Sequence, residues 1–186
     1  MGFNKNLENL DYEENIAFAL SCIFRQRHLP QLFINSKTWG IEEINKIFPK
    51  NKIKDKLDEI IDKVKLKQTN EIDADLDILK KFLLDFDDEN SIEYSLFFNY
   101  VCTIIYLLEY LKDNNIEKIN YLKNLIIESV DVIEECGSEI VDKKMASILK
   151  EFIDAEKERE VEITRLIKNK DYEKLHEFVY NKKYLK

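Results

Sequence analysis

Residues 94–108 read YSLFFNYVCTIIYLL, and none of these fifteen side chains carries a charge. The run is shorter than the roughly 20 apolar residues that a membrane-spanning helix needs, Asn99 interrupts it, and its tyrosines lie along its length and not only at its ends. Ser91 precedes it in the place of a helix N-cap. The stretch therefore predicts a buried central helix over about 92–112.

Amphipathic patterns with a helical period lie on both sides of this stretch. Asp11 and Glu14 form a capping-box pattern, and apolar residues recur at helical spacing after them. Only three Gly and two Pro occur in 186 residues, so turns that need special backbone angles are few. The other predicted helices are 12–28, a short one from Pro30 that stops before Gly40, 42–48, 53–64, 72–86 capped by Asn70, 116–133 ended by Gly137, 145–168, and one capped by Asp171. The sequence predicts an all-α single domain over 1–186, a bundle of seven to nine helices.

Negative charge is concentrated just before the central helix. Residues 69–95 hold nine acids and two bases, so this segment carries −7 of the chain's net charge of −8. Such a segment predicts a surface that binds a basic protein partner, although a solvated helix face is the plain alternative. The residues predicted to bind the partner are Asp73, Asp75, Asp77, Asp85, Asp87, Asp88 and Glu89.

Several classes of function lack their residue patterns in this sequence. The acidic balance argues against a nucleic-acid binder, which needs a basic patch. Asp73, Asp75 and Asp77 resemble the start of a calcium loop, but Ile78 and Leu84 stand where that loop requires Gly and Glu.

Metal and catalytic sites are equally poorly supported. Glu173 and His176 supply only half of a di-iron pattern, and His28 is the other histidine. Three glycines cannot form a glycine-rich phosphate loop. We therefore expect no catalytic, cofactor-binding or metal-binding residues, and a protein that is not an enzyme.

The cysteines and the first residues bear on location. Cys22, Cys102 and Cys136 are far apart and form no Cys-x-x-Cys pair, which is typical of reduced thiols in a cytosolic protein. The first fifteen residues contain no apolar region of a secretory signal. We expect a cytoplasmic protein.

Charged residues interrupt two otherwise apolar helix stripes. Arg27 follows the stripe of the first helix, and Glu156 and Arg159 lie on a late one. Their long stems can snorkel so that the heads reach water. The other hypothesis is a polar cluster of Arg27, Glu156 and Arg159 beside a pocket.

The order of these features resembles that of a known family. The features are the run Ile16-Ala17-Phe18-Ala19-Leu20, Arg27-His28-Leu29-Pro30 followed by Phe33, the pair Glu93-Tyr94 before the apolar helix, and a Glu-rich helix from Glu156 to Leu166. In this the chain resembles the YjaG-like family (domain of unknown function 416). The resemblance implies an all-helical cytosolic protein without an established activity, and it carries over no catalytic residue.

These observations favour a non-enzymatic protein-binding module with an acidic recognition face, either an adaptor or an inhibitor of the immunity or antitoxin kind. One alternative is a ligand-binding protein or enzyme with a polar pocket near Arg27 and Glu156. Another is a homodimer that pairs through exposed aromatic residues among Tyr94, Tyr100, Tyr106 and Tyr110.

Overall fold

The computed structural model describes residues 10–36, 39–83, 91–136 and 161–179, and every regular element in these ranges is a helix. The helices are α1 (Tyr12–Gln26), α2 (Leu29–Asn35), α3 (Trp39–Ile47), α4 (Lys50–Lys65), α5 (Ile72–Lys80), α6 (Ile92–Asp113), α7 (Ile116–Cys136), α8 (161–168) and α9 (Tyr172–Val179). The predicted all-α bundle around a central apolar helix is confirmed.

The first two helices form one bent rod. The capping box at the start of α1 is present, since the amide of Glu14 donates to Asp11 and the amide of Asp11 donates to Glu14, both at 2.9 Å. The bend lies at residues 27–28, because Pro30 has no N–H to donate to the carbonyl of Gln26 four residues earlier. Proline at the start of α2 thus sets the angle between the two helices.

Two predicted boundaries differ from the structure. Gly40 does not separate helices; it is buried in the first turn of α3, and α2 ends at Asn35 with Ser36 as its C-cap. The predicted helix 72–86 follows Glu71 and not Asn70, and its α-helical part ends at Lys80. There the backbone tightens, since the amides of residues 81–83 donate three residues back, to residues 78–80. The predicted continuation to 86 lies outside the described residues.

Helix α6 forms the centre of the core. Ser91 accepts a hydrogen bond from the amide of Tyr94 and caps it, as predicted. By length and composition α6 could cross a membrane, yet 72% of its most apolar window is buried by the surrounding helices. Around it, Phe33 of α2 stacks on Phe97 with ring centroids 4.7 Å apart, and the ring centroid of Phe82 lies 6.3 Å from that of Phe97. Burial to this extent is typical of the core helix of a bundle.

Contacts at both ends fix how α1 and α2 run along α6. Near one end, Asn15 Nδ2 donates to the hydroxyl of Tyr110 at 3.3 Å. Leu29 of α2 is fourteen residues after Asn15, and Leu96 of α6 is fourteen residues before Tyr110. The two leucines belong to one apolar cluster. Helix α1 therefore runs antiparallel to α6, and the chain reaches the level of Leu96 at the start of α2.

Helix α7 returns along α6 as the second arm of a hairpin. Asn114, with a φ of 53°, ends α6 in the left-handed conformation. Lys118 then pairs with Glu109 at 2.5 Å, and at a later level Asn99 Nδ2 donates to Ser129 Oγ at 3.2 Å. The hairpin is in contact from its turn to at least this level.

Burial of α6 predicts a large cost for a charge on its inner face. Ile104 and Ile105 are both buried, so Ile104→Lys and Ile105→Lys should each lower the free energy of unfolding by at least about 3 kcal/mol, because packed methyl groups are lost and an unpaired ammonium is buried. The measurement is the midpoint of urea unfolding. Ile47→Lys is the matched control, since this isoleucine is 55% exposed and its replacement should change stability by less than about 0.5 kcal/mol. Midpoints equal to wild type in both core variants would contradict the architecture.

Candidate functional site

The described part of the acidic segment lies on α5, and one of its carboxylates is not on the surface. Asp75 is buried, 3.2 Å from Lys63 Nζ and 3.7 Å from Lys56 Nζ, both on α4. Lys63 also pairs with Glu71 at 2.8 Å. Asp75 therefore fastens α5 to α4, and its carboxylate is unavailable to a partner.

The protonation equilibria of this ion-pair group reflect the same contacts. The hydrogen bond with Glu71 is the main cause that raises the pKa of Lys63, and Asp75 and Glu59 add to it. In turn, Lys63 lowers the pKa of Glu71. The lysine therefore stays charged throughout the physiological range, and the pairs persist at neutral pH.

The other acids of α5 are exposed. Asp73 pairs with Lys112 of α6 at 2.6 Å, and both side chains are more than half exposed. Asp77 is exposed and forms no ion pair with the residues that the structure describes. The predicted partner-binding residues Asp85, Asp87, Asp88 and Glu89 lie outside the described ranges.

Apolar side chains pack just before residues 85–89 in the chain, which we call the acidic run. At the end of α3, Phe48 packs edge-on against Phe82 with ring centroids 5.5 Å apart, and Phe82 is three residues before Asp85. Ile47, next to Phe48, is 55% exposed, and Trp39 at the start of the same helix is 44% exposed. The contact thus places the end of α3, with the exposed Ile47, beside Phe82, which precedes Asp85 in the chain.

A second group of polar residues is buried between α1, α6 and α7, and we call Gln26, Asn99 and Ser129 the polar layer. The antiparallel register places Gln26 level with Asn99, because both lie eleven residues from the Asn15–Tyr110 contact. Asn99 donates to Ser129, whose hydroxyl donates to the carbonyl of Leu125 at 2.9 Å.

Gln26 differs from the other two members of the polar layer. It is 1% exposed, and neither its side-chain nitrogen nor its side-chain oxygen has a hydrogen-bond partner among the residues that the structure describes. A buried amide without hydrogen bonds costs free energy, so this position is not optimised for stability. The sequence prediction missed Gln26 and Asn99, although Gln26 continues the buried stripe of Ala19 and Cys22 at helical spacing.

The predicted cluster around Arg27 is described only in part. Arg27 is half-buried at the end of α1, and its charge acts on the buried Tyr100 of α6. Burial raises the pKa of Tyr100 and Asp58 adds to the rise, while Arg27 opposes it. Glu156 and Arg159 lie outside the described residues, so their cluster with Arg27 stays a prediction.

The described thiols and one imidazole are poorly suited to catalysis. Burial raises the pKa of Cys102 to about 12, with Glu109 adding to the rise, so the thiol is protonated at neutral pH. Cys22 is buried. Burial lowers the pKa of His28 to about 4, so this imidazole is neutral at physiological pH. In the described ranges no three His, Cys, Asp or Glu side chains are grouped to hold a metal ion.

The aromatic residues predicted to form a dimer interface are mostly inside the fold. Tyr94, Tyr100 and Tyr110 are buried, and Tyr106 is half-buried against Tyr121 at a centroid distance of 5.4 Å. The three buried rings belong to the core because the helical period turns them towards α1, α2 and α4. They cannot form the surface that this alternative requires.

Comparisons with known proteins add no relative: no family model, no curated protein and no solved structure matches the chain. The resemblance to the YjaG-like family therefore stays a prediction.

The ion pairs of α5 should differ in strength according to burial. Lys63→Met should cost about 2 kcal/mol of unfolding free energy, because it leaves the buried Asp75 with Lys56 alone. Lys112→Met is the matched control, since it breaks the exposed pair with Asp73 and should cost less than about 1 kcal/mol. Urea midpoints measure both costs. Equal costs would mean that Asp75 is not a buried anchor.

The two buried amides of α1 should respond oppositely to the same substitution. Gln26→Leu should raise the free energy of unfolding by about 1 kcal/mol, because it removes an amide without hydrogen bonds. Asn15→Leu should lower it by about 1–2 kcal/mol, since Asn15 Nδ2 donates to Leu10 O at 3.2 Å and to the Tyr110 hydroxyl. Thermal and urea unfolding would both report the difference. A loss of stability in both variants would show that the Gln26 amide is satisfied in solution.

Proposed function

We propose that this protein is a non-enzymatic cytoplasmic binding module that captures a basic protein partner on an acidic surface. The surface is formed by Asp73 and Asp77 of α5 and by the acidic residues 85–89. The observation that carries the proposal is the concentration of nearly all the net charge in residues 69–95, together with the exposure of Asp73 and Asp77 on α5.

The distribution of ion pairs supports recognition more than solubility alone. Lysines of α4 and α6 pair with Glu71, Asp73 and Asp75, so these acids are locally compensated. The surplus of formal negative charge in the sequence therefore falls on the segment's other six acids, which are Asp77, the four at 85–89, and Glu93. A surplus confined to one short stretch produces a directed field, which speeds encounter with a partner of opposite charge.

Exposed apolar residues near the acidic run complement this charge. Protein interfaces combine a buried apolar centre with a charged rim, and tryptophan is common among their most important residues. Trp39 and Ile47 of α3 supply exposed apolar area, and the Phe48–Phe82 contact connects that helix to the start of the acidic run. A partner with basic and apolar side chains on one face fits this surface.

The protonated thiol of Cys102 and the neutral, buried His28 favour binding over nucleophilic catalysis. Within binding proteins, an acidic helical module suits an adaptor or an inhibitor of the immunity or antitoxin kind, because both act by occupying a basic surface. We keep both as forms of the same proposal.

The test is capture from a source lysate by wild type and by a reversal of Asp85, Asp87 and Asp88 to Lys. Wild type should recover a basic protein at low ionic strength and less of it at high salt, because salt screens the encounter. The reversal should lose most of the recovery while remaining folded by circular dichroism. Binding kinetics of the identified protein should then show the salt effect mainly in the association rate.

The matched control is a reversal of Glu117, Glu128 and Asp131 to Lys on the exposed face of α7. It changes the net charge by the same amount at a different place. Recovery should stay near the wild-type level. If both reversals reduce recovery equally, the partner responds to total charge, and if neither does, the acidic surface has no part in binding.

A further inference from the structure

The last turns of α7 are held by an apolar cluster separate from the main core. Its buried members are Leu29, Leu96 and Ile133, with Leu32, Ile92 and Val132 at its edge. The main core contains Ile119, Leu122 and Ile126 from the first part of the same helix. Helix α7 thus packs into two apolar clusters, one before Ser129 and one after it.

The polar layer lies at the boundary between these two clusters. Gln26 is three residues before Leu29, Asn99 is three residues after Leu96, and Ser129 is four residues before Ile133. Where α6 meets α7, apolar contacts are therefore interrupted at one level, whereas on the other side of α6 the main core continues through Phe97 and Tyr94. The hydrogen bond that joins α6 to α7 at this level is between neutral groups and 3.2 Å long. A hydrogen bond between neutral groups adds only a little to the attachment of α7 to α6 at this level.

The amide of Gln26 favours separation at the same level. In the closed fold it is buried without a hydrogen bond to any described residue, and water would satisfy both of its polar atoms if the adjacent helix moved away. Opening therefore hydrates the Gln26 amide. The free energy gained in this way offsets part of what is lost when the contacts of the small apolar cluster break. A helix segment held in this way opens at a lower free energy than the whole protein unfolds.

We infer that residues 129–136 of α7 form an opening segment that separates from α6 at the polar layer while residues 116–126 stay in the main core. Opening uncovers Leu29 and Leu96, which are both completely buried in the closed fold. The device is thus a reversible exposure of an apolar patch on the side of α6 that faces α2 and α7. It does not depend on the acidic surface.

Hydrogen exchange of the full chain tests the opening segment. In wild type, the amides of residues 131–133 should exchange about 100-fold faster than those of residues 122–126. The double variant Gln26→Leu/Asn99→Leu joins the two apolar clusters, so the ratio should fall at least about tenfold. Simple fraying of the helix end would leave the ratio unchanged, because neither substituted residue is on α7.

Two further variants keep the test decisive. Asn15→Leu places the same side chain on the same face of α1 at its other end, and the ratio should stay at its wild-type value. Ile133→Ala weakens the small cluster, so exchange at 131–133 should accelerate roughly tenfold with no change at 122–126. If the double variant fails to fold, Ile133→Ala alone decides. Equal protection of both stretches in wild type, an unchanged ratio in the folded double variant, or equal acceleration by Ile133→Ala would overturn the inference.

Discussion

The fold depends on the burial of α6 on nearly all of its sides. A helix whose central fifteen residues carry no charge has no face suited to water, so other helices must cover it. Each large apolar side chain taken out of water contributes about 1.5–3 kcal/mol, and α6 provides many of them. The positions of α1, α2, α5 and α7 follow from this requirement, since each of them contacts α6.

Elements marked by strong local chemistry could be predicted from the sequence. The capping box of Asp11 and the cap of Ser91 were correct because these bonds form within one turn. The role of Gly40 was wrong, since glycine also suits close packing inside a helix. The end of α5 was placed too late because apolar residues keep their spacing through Phe82 while the backbone already tightens. Periodicity reports which side chains are buried, and it does not report the hydrogen-bond pattern.

Some features of the candidate sites could also be predicted from the sequence, and others could not. The charge of residues 69–95 is visible in the sequence, but the burial of Asp75 depends on lysines of a different helix. Likewise, Gln26 and Asn99 look like ordinary polar residues until the antiparallel register brings them to one level. Pairing between distant segments is a tertiary property, which single-helix patterns do not contain. Residues of this type are where a structure adds most to a sequence.

The connection between α6 and α7 also bears on how the chain folds. Asn114 and Asn115 form the whole link, so the pairs Glu109–Lys118 and Tyr106–Tyr121 join residues close together in the chain. Short loops lose little entropy on closure, and local contacts form early. During synthesis, α1 to α5 leave the ribosome before their central partner exists. We therefore expect the hairpin to form first once α7 has been made, and the earlier helices to assemble on it afterwards.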